Sequence, residues 1–166
     1  MAAASRTGRD GIVVGLIAYA AVAVFYSAFD LLAARGTLFT VDLLGKSVFR
    51  GLRDPSVLDL PIQPDMTAIF WYNGLHLVLS LAIGLIVTGL VEHAEQHPPR
   101  ARLMLFAVVA GFVVTILGVG MLTAPMRPVL PWWSIVVANG SATLLAGLYL
   151  LRKRPGVWGH LTARTG

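Results

Sequence analysis

The sequence predicts an all-α integral membrane protein, a four-helix up-down bundle with a short interfacial amphipathic helix between the first and second spans. Three observations predict it. Of 166 residues, 57% are hydrophobic and 13% charged, against about 25% charged in a soluble domain. The apolar residues gather into four runs, each long enough to cross a bilayer, which takes roughly 20 residues at a rise of about 1.5 Å each. The prolines and most charges fall in the segments between. Backbone amides in hydrocarbon must be satisfied within their own segment, so such runs are helices.

The elements follow in order. Residues 1–10 are polar, with Arg6 and Arg9. The first span is predicted over 11–34. Its basic start and Ala-rich end resemble a signal peptide, but the apolar run is too long for a signal core and Asp30 falls near its end. The polar connection 35–64 begins with an amphipathic helix over about 41–53. Val41, Leu44, Val48 and Leu52 recur at helical spacing, while Asp42, Lys46, Arg50 and Arg53 fall largely opposite. Thr40 is the expected N-cap and Asp42 suits the first turn. This helix is expected to lie along the membrane surface, apolar face in the headgroups. Asp54-Pro55 ends it, and the proline-bearing stretch 56–64 is expected to be extended.

The second span is predicted over 66–91, with Asp65 as its N-cap. A charged turn from Glu92 to Arg102, set by Pro98 and Pro99, leads to a third span over 103–123. A short connection with Pro125, Pro128 and Pro131 precedes the fourth, over 132–151. That span ends in Arg152-Lys153-Arg154-Pro155. Eight Lys and Arg lie on the side of both termini against five on the other. The positive-inside bias therefore places both termini in the cytoplasm of a multi-pass cell-membrane protein, with the amphipathic helix outside. Trp132 and Trp133 suit an outer aromatic belt and Trp158 an inner anchor.

Small residues recur about a turn apart in every span: Gly11 and Gly15; Ser80, Gly84 and Thr88; Gly111, Thr115 and Gly118; Gly140, Thr143 and Gly147. Such stripes let helices approach in lipid and are expected to mark the inward faces.

Several function classes drop out. With no cysteine, disulfides, thiolate metal sites and thiol nucleophiles are excluded. The net charge of +5 sits at helix ends and in connections, where lipid phosphate is the counter-charge. No basic patch with interleaved aromatics suggests nucleic acid. Nucleophile-elbow, phosphate-loop and HExxH patterns are missing, since Ala94 follows His93.

Polar residues inside a span need a reason. Counted from the outer end of each span at about 1.5 Å per residue, Tyr26 lies about nine residues deep, Asp30 about five, Asn73 about eight, His76 about eleven, and Thr115 and Asn139 about eight each. All four spans contribute. The spacings Tyr26–Asp30 and Asn73–His76 each share a face, so these side chains are candidates to converge in one ligand or proton site. An imidazole beside the Asp30 carboxylate would form a proton-exchanging pair. The structural alternative is that these groups only hydrogen-bond across helices, with Asp30 pairing with Arg35. At the inner end His93 and His97, four apart, form a loose metal candidate, with Glu92 on a different face. A bis-histidine haem would need a second deep histidine besides His76, and no cofactor is called for. The leading reading is a non-enzymatic accessory, scaffold or self-associating subunit whose partners are lipid, itself or other membrane subunits. A small transporter or proton-coupled binding protein is the alternative, and a membrane redox or lipid-modifying enzyme the third.

Overall fold

The computed structural model describes residues 2–57 and 63–156, with side chains from Arg6 onward. Trp158 and most of the stretch 56–64 lie outside those residues. Five α-helices follow one another: α1 (Ala2–Leu32), α2 (Phe39–Phe49), α3 (Met66–Gln96), α4 (Ala101–Leu122) and α5 (Trp132–Lys153). Four of them, all but α2, are long and apolar enough to cross a membrane. No strand occurs among the described residues.

Local chemistry sets the boundaries. Beyond Leu32 the chain turns left-handed at Ala34 (φ 53°) and Gly36 (φ 82°), which no helix continues through, and Gly51 (φ 70°) follows α2 in the same way. Asp65 caps α3 as expected, its side chain accepting from the Ala68 N–H at 2.9 Å. Glu92, His93 and Glu95, read above as a turn, form the last turns of α3 instead. The break comes at Pro98-Pro99, where the prolines supply no N–H.

α1 packs against α3 and α5, and α4 packs against the same two, so the spans form a ring in the order α1, α3, α4, α5. Gly11 lies beside Leu85 and Gly15 beside Leu81, so α1 and α3 run antiparallel. Tyr26 reaches Ser134 and Asp10 reaches Tyr149, so α1 and α5 do too. The bundle is therefore up-down, with the start of α1 and the end of α5 at one end of it.

The α1–α3 seam is the most extensive. A Cβ added at Gly84 would lie 2.5 Å from both the Gly11 carbonyl oxygen and the Gly15 nitrogen, and one at Gly15 would lie 2.6 Å from Leu81 Cα. The backbones touch, and only glycine admits that. The expectation that small residues mark inward faces holds here and fails elsewhere. Nothing lies within 4 Å of a Cβ at Gly111, Gly118, Gly140 or Gly147. The buried face of α5 is instead Ser134, Ile135, Ala138, Ala142, Ala146 and Leu150. Alanine gives nearly the same closeness at less cost to the helix, so α5 presents alanines to α1 and carries its glycines on another face.

The amphipathic helix departs from its predicted geometry. Leu43 and Asp42 are buried, whereas Val48 is 54% exposed. Phe39, Leu43 and Leu44 pack with Met126 and Leu130 of the α4–α5 connection, so one side of α2 roofs the bundle at the end where α3 and α5 begin. It seats on α3 where Gly45 meets Ala68; a Cβ there would lie 2.7 Å from the Ala68 carbonyl oxygen. Leu38, Val48 and Phe49 stay exposed. The rotation follows from polar contacts that periodicity does not encode, described next.

Candidate functional site

Asp30 closes the last turn of α1 and is 1% exposed. Its Oδ2 accepts from the Thr40 N–H at 2.6 Å, and Oδ1 accepts from the Thr40 hydroxyl at 2.6 Å and from Arg35 Nη2 at 3.1 Å. Thr40 is not the N-cap of α2; that position is Leu38, which offers no capping oxygen. The cap comes from a different helix. A carboxylate against the amide end of α2 also meets the positive end of its dipole. Arg35 donates further to the Val129 carbonyl at 2.7 Å and lies over the rings of Phe39 (4.3 Å) and Phe29 (5.0 Å). One buried ion pair therefore ties α1, α2 and the α4–α5 connection together, the Asp30–Arg35 pairing of the structural alternative.

A second set of charges anchors the other end of α2. Lys46 bonds Asp42 at 2.6 Å and the Gln63 carbonyl at 2.7 Å, and Asp42 accepts from the Asp65 N–H at 2.8 Å. Arg50 donates to Asp65 at 2.9 Å. That guanidinium, helped by the Ala68 N–H, holds the Asp65 carboxyl down at about 2. These bonds turn Asp42 toward the protein.

Below the clamp, α1, α2 and α3 enclose a cleft of about 130 Å³. Four of the six predicted site residues line it: Tyr26, Asp30, Asn73 and His76. Asn73 accepts from the Tyr19 hydroxyl at 3.1 Å and donates to the Ile69 carbonyl at 3.0 Å. The His76 ring lies between Tyr19 (centroids 5.2 Å apart) and Tyr72 (6.3 Å). Tyr26 meets the Ser134 hydroxyl at 3.5 Å. Among the described residues no hydrogen bond reaches the His76 nitrogens or the Tyr72 hydroxyl, and no hydrogen bond or ion pair joins His76 to Asp30. Compared with known protein families, curated proteins and solved structures, this chain matches none. Its chemistry must be read from these contacts.

The other two predicted residues stand apart. Thr115 donates to the Gly111 carbonyl at 2.8 Å on the flank of α4, and Asn139 to the Ile135 carbonyl at 2.8 Å on α5. Each bonds four residues back within its own helix, the usual local alternative to a partner across helices. Depth placed all six alike; only helix rotation separates them. Tyr19, Tyr72 and Ser134 escaped the sequence reading as groups at the cleft. The seven-residue spacing of Tyr19 and Tyr26 was an available signal, two turns apart on one face.

At the opposite end of the bundle His93 and His97 stack with ring centroids 4.2 Å apart. No group of three His, Cys, Asp or Glu side chains placed to hold a metal occurs among the described residues. The polar contacts there tie helices together. Arg154 bonds Glu95 at 3.0 Å and approaches Glu92 at 3.8 Å, Glu92 accepts from the Thr7 hydroxyl, and the Tyr149 hydroxyl donates to Asp10 at 3.2 Å. α1, α3 and α5 are thus tied at both membrane ends.

Proposed function

We propose that this protein is a non-enzymatic membrane subunit that works by lateral association in the bilayer, with a second copy or with other membrane subunits. The observation carrying it is the contrast between two sets of small residues. Gly11, Gly15 and Gly84 at the α1–α3 seam are pressed to backbone contact, while Gly111, Gly118, Gly140 and Gly147 on α4 and α5 meet nothing within 4 Å. Glycine inside a helix costs about 1 kcal/mol against alanine. Within one chain these four bring no packing in return, and a helix pressed against them from outside would supply it. The chemistry of the polar groups supports the same reading. Asp30 already accepts from Arg35 and twice from Thr40, which supports a structural role for it over proton exchange with His76.

We place the protein in the cell membrane with both termini cytoplasmic. The eight Lys and Arg on the terminal side, three of them in the run Arg152-Lys153-Arg154 at the end of α5, support that orientation.

The chain has no cysteine, so single-cysteine variants label cleanly. Dye pairs on α5 should show energy transfer in lipid vesicles that persists as protein is diluted in lipid. It should fall to the random level in the double variant Gly118→Leu, Gly147→Leu. Random transfer in the parent protein, with no membrane subunit retained after gentle purification, would refute the proposal.

A further inference from the structure

The cleft between α1, α2 and α3 carries polar groups that association through α4 and α5 makes no use of. Its walls are of two kinds. Tyr26, Tyr72 and His76 present aromatic rings, and Val22, Val41 and Leu44 complete an apolar lining. The Asp30 carboxylate is the one charged group in that lining, and Arg35 and Thr40 already neutralise and saturate it. An anion finds no cation there and a cation finds no free carboxylate, so the occupant is uncharged. The Tyr72 hydroxyl and the His76 nitrogens have no partner among the described residues, so the occupant carries an oxygen able to bond them.

Size narrows the class. At about 30 Å³ per water molecule, a cleft of about 130 Å³ holds one small ring. Sites for drug-sized ligands begin at about 300 Å³. A larger amphiphile can insert only its head, and the cleft opens past Ser27, Thr37 and Leu38, all exposed, near the outer end of the spans. A tail left there lies against the exposed apolar face of the bundle, in lipid.

We infer that this cleft binds the flat, uncharged, oxygen-bearing ring of a membrane-dissolved amphiphile, a quinone or a tailed phenol, through Tyr72 and His76. A ring carbonyl accepts from the Tyr72 hydroxyl; a ring hydroxyl donates to an unprotonated His76 nitrogen. Asp30 shapes the cleft mouth and does not touch the ligand's polar atoms.

The test is binding to the full chain in lipid nanodiscs, by native mass spectrometry and by competition. The probes are a short-tailed benzoquinone, its hydroquinone, an alkylbenzene with the same tail and an alkyl phosphate. One oxygenated ring should bind per chain and saturate, and the better binder of the first two identifies the source. The alkylbenzene and the phosphate should not compete. Tyr72→Phe, which keeps the ring and hence the fold, should weaken binding about tenfold, the loss of one desolvated hydrogen bond. His76→Ala should do the same with an unchanged melting temperature. Saturation by the alkylbenzene, displacement by the phosphate, absence of saturable binding, or full affinity in folded Tyr72→Phe would each overturn the inference.

Discussion

Replacing Asp30 tests the clamp directly. Asp30→Ala removes three hydrogen bonds in one step: from the Thr40 N–H, the Thr40 hydroxyl and Arg35. It also leaves the N-terminus of α2 uncapped and a cation without its counter-charge. Breaking a buried ion pair from one side costs about 3–5 kcal/mol. The Arg35 side chain is 21% exposed and keeps its bond to the Val129 carbonyl, which places the cost near the lower end, about 3 kcal/mol. Asp30→Asn keeps the shape and the acceptor oxygen toward Thr40 and loses the charge, so it should cost about 1–2 kcal/mol. The assay is reversible unfolding in mixed micelles, followed by helix dichroism as the denaturing detergent fraction rises. Adding Arg35→Met to Asp30→Ala should recover part of the loss, because it removes the stranded cation. A cost under about 1 kcal/mol for Asp30→Ala, the size of an exposed pair, would refute the reasoning. So would equal costs for Asn and Ala, since the charge would then contribute nothing.

Two further predictions rest on other parts of the molecule. Gly84→Ala forces a methyl against the backbone of Gly11 and Gly15 and should cost about 1–3 kcal/mol by overpacking, whereas Gly111→Ala in the same micelle assay should be neutral or stabilise by up to about 1 kcal/mol; equal effects would contradict the seam described. Asp65, held at about 2 by Arg50 and the Ala68 N–H against an ordinary value of about 3.9, contributes stability that is present above pH 4 and lost as pH falls through about 2. The melting-temperature loss caused by Asp65→Ala should therefore be largest near neutrality and shrink over about pH 4 to 2; a loss independent of pH would show that the Arg50 pairing is not what Asp65 contributes.

How far the chain could be read depended on which physical signal each feature leaves in sequence. Spans announce themselves by solvent preference, so all four spanning helices were legible and α4 and α5 lie within two residues of their predicted ends, whereas α1 begins at Ala2, nine residues early, and α3 runs on to Gln96, five residues late. Asp65 and the Asp30–Arg35 pair were legible because capping and short-range ion pairing are local. Helix rotation was not. In water, an apolar stripe points inward; in lipid, apolar side chains face both the bundle and the solvent, so Leu43 buried and Val114 exposed look alike in sequence. Depth therefore assembled six polar residues, and rotation admitted only Tyr26, Asp30, Asn73 and His76 to the cleft. The small-residue rule failed on α5 for a related reason, since alanine and glycine both permit close approach and only the neighbour decides which is used. The face of α2 was misread because Asp42 is satisfied by Lys46 and by the backbone of Asp65, twenty-three residues away in sequence.

The placement of α1 has a consequence for biogenesis. α1 precedes α3 and α5 in the chain and rests on both, and its Thr7 and Asp10 bond to groups on α3 and α5. It enters the bilayer with Gly11 and Gly15 bare and waits for partners translated later. A chain stalled before Trp132 would leave the side of α1 that carries Asp10 and Val14 without the cover that Ala146, Tyr149 and Leu150 of α5 give it.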